Sequence, residues 1–76
     1  MAKGYSILLA NQIKAADPSS LGVQLGRVCI DKDIPVTDVS DFFKVSRMTV
    51  YSWFRGEAKV SSKHADKMQK LIARLK

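Results

Sequence analysis

The chain has 76 residues, 46% of them hydrophobic, with 13 Lys and Arg against 7 Asp and Glu for a formal net charge of +6. That length holds one small domain, 1–76, and the composition is that of a folding basic chain, not of a disordered tail. One cysteine and one histidine make neither an internal disulfide nor the four-ligand site of a structural zinc, and the positive balance favours a polyanionic partner.

Residues Tyr5 to Ala16 carry helix formers, with apolar Tyr5, Leu9 and Ile13 four apart, and predict a first helix. Within it the apolar run Ile7 to Ala10 gives way to Asn11 and Gln12. Such a run is too short for a signal-peptide core and far below the roughly 20 residues that span a bilayer, so no membrane partner and cytoplasmic residence are expected. Asp17-Pro18-Ser19-Ser20 breaks the pattern and supplies a cap for a second helix. That helix places Leu21, Leu25, Val28 and Cys29 on one face and ends before Asp31-Lys32-Asp33 and Ile34-Pro35. Gly22 and Gly26 cost it about 1 kcal/mol each against Ala, and read as points where a neighbour packs closely. Cys29, set between Val28 and Ile30, reads as a small buried hydrophobe and not as a reactive nucleophile.

Pro35 suits the first turn of a third helix, with Asp38 near the positive end of the dipole and Val39, Phe42 and Phe43 as the buried stripe. After Lys44-Val45, Ser46 is an N-cap for a helix over Arg47 to Arg55, which Gly56 can close in a left-handed conformation. Beyond the loop Glu57 to Val60, Ser61 or Ser62 caps a last helix with Ala65, Met68, Leu71, Ile72 and Leu75 on its apolar face. No alternating strand pattern competes, and the expected fold is all-α, a small bundle of about five helices. Charge is divided unevenly along it. Residues 1–43 hold four basic and five acidic side chains, −1, whereas 44–76 hold nine basic and two acidic, +7.

Two short helices joined by about three residues have helix-turn-helix geometry, here over about 36–56. Val39 and Phe43 bury the first helix, Ser40 is small enough for the second to cross close to it, Val45 plugs the turn, and Val50 with Trp53 anchors the second. At 100° per residue Val50, Trp53 and Phe54 share one arc, while Arg47, Met48, Tyr51, Ser52 and Arg55 occupy the opposite one.

The segment from Val45 to Gly56 resembles the turn and recognition helix of the Cro and lambda-repressor-like helix-turn-helix regulators common in phages and bacteria, and Val36 to Phe43 resembles their preceding helix. The flanking helices fit that family's bundle more loosely. The resemblance implies a Cro-like, sequence-specific regulator of transcription, a repressor in type. It would insert its second helix, about 47–55, into the major groove of double-stranded DNA in a bacterial or phage-infected cell. It also implies contact of Arg47, Met48 and Ser52 with base edges, Tyr51 beside them, and of Ser46 and Arg55 with the backbone. Lys44, Lys59, Lys63 and Lys67 are further candidate phosphate contacts. The chemistry of each suits the role: Arg47 presents two parallel donors to guanine, Met48 packs on a thymine methyl, and Ser52 serves either base type. Useful specificity from so small a domain calls for two copies on half-sites about one turn, roughly 34 Å, apart, so a homodimer is expected.

Two turn-region positions depart from the family's usual pattern. Lys44 stands where Gly is usual, at a cost of roughly 1 to 2 kcal/mol if its backbone is left-handed, and a wider turn is the alternative. Ser40 replaces Ala but keeps the small volume. Phe54, at a commonly polar position, reads as extra core against an exposed contact. Lys63, Lys67, Lys70 and Arg74 form a stripe about 130° around the last helix from its apolar face, equally suited to phosphate contact and to solubility. Asp66 and Lys70 form an i,i+4 pair, and His64 reads as an exposed residue of the capping region. For a dimer interface the candidates are Tyr5, Leu8, Leu9 and Ile13, or Leu71 and Leu75, against the simpler role of completing the monomer core.

The alternative from another class is a protein-binding module of the same fold, such as a phage-encoded inhibitor of a host enzyme or a packaging adaptor, with a host protein as partner. Joint exposure of Phe54, Met48 and Tyr51 would favour it. Catalysis is disfavoured, since His64, Cys29 and Glu57 are each the only residue of their type and no phosphate loop, nucleophile elbow or metal cluster is visible. No cofactor is expected.

Overall fold

The computed structural model of the chain describes residues 6–75. It is all-helical, with α1 (Ile7–Ala15), α2 (Leu21–Lys32), α3 (Val36–Phe43), α4 (Arg47–Phe54) and α5 (Ser62–Leu75), and no strand among the described residues. Tyr5, expected to open the first helix, lies outside them. No helix among the described residues is long and apolar enough to cross a membrane.

Local chemistry sets most of the helix ends. Ser6 caps α1 by accepting from the Leu9 N–H at 3.0 Å. Asp17 accepts from both the N–H and the hydroxyl of Ser19, which turns the chain into α2. The Arg27 guanidinium of α2 donates to the carbonyl oxygens of Lys14 and Ala16, placing a cation at the negative end of α1. Asp33 stops α2 in the left-handed region, φ 59°, a conformation that the short Asp side chain tolerates. Pro35 sits one position earlier than expected, as the N-cap of α3 and not in its first turn, and its carbonyl accepts from the Asp38 N–H at 3.1 Å.

α2 packs against α1, α4 and α5, and α3 packs against α4. With neighbours on several sides, α2 buries a wider arc than a single stripe: Val23 is fully buried with Leu25 and Cys29, while Val28 is only partly covered. The Cys29 thiol is buried and in no disulfide. The two glycines of α2 permit its closest crossing. A Cβ built at Gly22 would stand 2.5 Å from the Trp53 carbonyl oxygen, and one at Gly26 2.9 Å from Phe54 Cγ. α4 therefore lies directly on the α2 backbone, and its two aromatic anchors are sunk in the core.

Two expectations about α3 and α5 change. Phe42 is 42% exposed, because α3 faces inward through Val36, Val39, Ser40 and Phe43 and Phe42 lies one residue, about 100°, round from Phe43. Its ring meets that of Phe43 edge-on at 5.0 Å. His64 is not an exposed capping-region residue: its ring is half-buried against Phe43 at 5.7 Å and Trp53 at 5.6 Å. The first turn of α5 thus closes over the aromatic cluster that joins α3 to α4.

Candidate nucleic-acid interface

The turn between α3 and α4 consists of Lys44, Val45 and Ser46. It is not widened. Lys44 adopts φ 57°, ψ 47°, and this one left-handed residue reverses the chain while its N–H returns to the Asp41 carbonyl and that of Val45 to Ser40. Ser40 is buried and its hydroxyl donates to the Thr37 carbonyl at 3.0 Å, so the small side chain at the crossing carries no unmet polar atom.

Ser46 caps α4 as expected. Its Oγ accepts from the Thr49 N–H at 3.2 Å and shares a hydrogen bond with Thr49 Oγ1 at 3.0 Å. Thr49 escaped sequence reasoning; the serine-to-threonine spacing of three was its signal. From that start α4 sinks Val50, Trp53 and Phe54 into the core, so Phe54 is core and not a surface contact. The outward face begins with Arg47 and Met48, both exposed, Met48 by 79%.

Tyr51 and Ser52 are set back from that edge. Both are half-buried, Tyr51 against the periphery of the core, and the Ser52 carbonyl accepts the N–H groups of Glu57 and Ala58. Gly56, at φ 76°, provides the left-handed step that lets the chain fold back in this way. Arg55 is held by Glu57: Nε and Nη2 lie 3.0 and 2.9 Å from Oε1. Glu57 was the second residue that pattern reasoning passed over.

The candidate phosphate contacts fall into groups. Lys44, Ser46 and Arg47 cluster with Met48 at the turn and the start of α4, all exposed. Arg55 and Lys59 lie at the far end of that helix, about 12 Å away along an eight-residue axis, and Lys63 begins α5. Lys67 is engaged elsewhere. Its Nζ donates to the Phe42 carbonyl at 3.0 Å and sits 4.4 Å above the Phe42 ring, tying α5 to the end of α3. Lys70 pairs with Asp66 at 3.3 Å, both exposed.

Among the described residues no group of three His, Cys, Asp or Glu side chains is arranged to hold a metal ion. What the arrangement offers chemically is a positive, solvent-facing helix start on a rigid base, with a polarizable thioether beside a guanidinium. No protein-family model matches the chain, and neither does any curated protein or any solved structure.

Proposed function

We propose that the chain is a sequence-specific double-stranded DNA-binding regulator that lays α4 in the major groove and acts, as a repressor does, by occupying its site. One observation carries the reading: α4 buries Val50, Trp53 and Phe54 and turns Arg47 and Met48 outward from its first turn. A helix held by its back and bare at its N-terminal front matches the demand of major-groove reading, in which the first residues of the second helix reach base edges. Arg47 supplies the bidentate donor pair for guanine and Met48 the apolar contact for thymine. Lys44 and Ser46 at the turn, with Arg55, Lys59 and Lys63 further along, are suited to the flanking phosphates.

A protein-binding module would present Met48, Tyr51 and Phe54 as one apolar patch. Phe54 is fully buried and Tyr51 half-buried, which leaves Met48 alone and favours the nucleic-acid reading.

Selection from randomised duplexes, followed by salt titration on the best and on a scrambled sequence, tests the proposal. The expected result is an enriched site bound at least roughly 10³-fold more tightly than the scramble. Arg47→Ala should cost about 1 to 3 kcal/mol on that site and relax preference at one base pair. Equal loss on every sequence would remove Arg47 from base reading, and no enrichment with binding lost near physiological salt would leave only generic attraction.

A further inference from the structure

Residues 44–63 hold five basic side chains, Lys44, Arg47, Arg55, Lys59 and Lys63, and Glu57 is the only acid among them. The fold delivers that acid to one of the five. Gly56 takes its left-handed step at φ 76°, the Glu57 N–H donates to the Ser52 carbonyl at 3.0 Å, and the carboxylate comes back against Arg55. Arg55 Nε donates to Oε1 at 3.0 Å, and Nη2 lies 2.9 Å from the same oxygen. One edge of the guanidinium, an edge that a phosphate oxygen would take, is thereby occupied from within the chain.

Stability does not account for this placement. The Glu57 side chain is 60% exposed, and exposed ion pairs contribute little. Arg55 is the C-cap of α4, so Glu57 follows the negative end of the helix dipole, where an anion is disfavoured. Among the described residues no ion pair engages Lys44 or Arg47 at the opposite end of α4. A partner held this weakly in water is also one that a phosphate can displace.

We propose that Glu57 is a positioning residue for Arg55: it competes with backbone phosphate for the guanidinium and so holds down attraction to duplexes of arbitrary sequence. This role rests on the duplex-binding reading above. Phosphate contacts supply affinity without sequence information, whereas base reading falls to Arg47 and Met48 at the start of the helix. Masking a cation at the far end of α4 lowers the generic part of binding and leaves the base-reading residues as they are.

The probe is a random-sequence duplex, titrated at stepped salt with the unmodified chain, Glu57→Gln, Arg55→Ala and the double variant. Glu57→Gln should bind it roughly three- to tenfold more tightly at low salt, with the slope of log affinity against log salt steeper by about one. In the Arg55→Ala background the same change should give a clearly smaller gain, because no guanidinium is left to release. Unchanged affinity, or an equal gain in both backgrounds, overturns the inference, and the second result would reduce Glu57 to a repulsive charge. In the unmodified chain the Arg55 Nε–H resonance should shift as duplex is added. A resonance that stays fixed while the amides of α4 move overturns the inference as well, and this measurement needs no variant to fold. A chain that selects a site while Glu57→Gln changes nothing keeps the regulator reading and loses the role of Glu57. One that selects no site while Glu57→Gln binds more tightly does the reverse, and binding by neither protein overturns both.

Discussion

At the link between α1 and α2, the bonds from the Ser19 N–H and hydroxyl hold the Asp17 carboxyl below the ordinary carboxylate range, the backbone bond contributing most. Because the folded-state value is the lower one, the stability it contributes is fully present above the unfolded value of about 4 and is lost as pH falls through the depressed folded-state value. Asp17→Asn should therefore flatten the acid side of a stability profile below about pH 4, its cost showing at neutral pH and vanishing in acid, and the effect should be small because the group is fully exposed. Thermal melts at stepped pH measure this, and an unchanged acid limb would show that the Asp17–Ser19 bonds do not hold in solution. Lys44, like Asp33, holds a left-handed backbone. At φ 57° a lysine bears a steric cost that glycine avoids, partly offset by the looser unfolded chain of glycine, so Lys44→Gly should gain about 0.5 to 1 kcal/mol. A urea midpoint that moves down would contradict that assignment. Single-residue geometry was only partly legible in the sequence. The Ser46 cap, the buried Phe54 and the left-handed Gly56 follow from residue type and spacing, but Phe42 and His64 do not. Whether an aromatic ring at a stripe edge is covered depends on which helix lies over it, and that is a long-range fact absent from local periodicity.

The helices themselves were easier to read, because several are bounded by residues that act locally, the Asp17–Ser19 turn, Pro35 and Ser46, whereas the Ser6 cap of α1 was not foreseen. Their ends differ from expectation by a residue or two, as at Pro35 and Arg55, where hydrogen bonding fades gradually. Packing between elements was legible in one place, the glycines of α2. Gly22 and Gly26 weaken that helix taken alone, and the structure shows what they make room for, the backbone of Trp53 and the ring of Phe54. Gly22→Ala improves helix propensity yet should destabilise the protein by about 1 to 3 kcal/mol, because its methyl meets a carbonyl that cannot move without the whole of α4. Denaturant unfolding decides the sign, and a more stable variant would mean that α4 rides higher on α2. The breadth of the α2 face was not legible, since Val23 and Val28 are equally apolar and only their tertiary neighbours, such as Gly56 beside Val23, distinguish them.

For the whole molecule, the uneven charge matters more than its total. The −1 half holds α1, α2 and α3 and the +7 half holds α4 and α5, so the two ends of the chain differ in what they attract. The sequence carried the ingredients of this candidate site, Arg47, Met48 and the basic residues, but not their grouping. Arg55 is taken up by Glu57 two residues on, and Lys67 reaches across the surface to Phe42, 25 positions away, a pairing that spacing alone does not give.

The division of labour within α4 has a consequence for how such a chain changes over generations. The side chains that fix the fold and those that meet the outside world are different residues on opposite sides of one short helix. Substitutions at Arg47 and Met48 leave the interior as it was, so under the role proposed for α4 descendants acquire new targets by altering two or three surface positions, each retaining the ancestral scaffold intact.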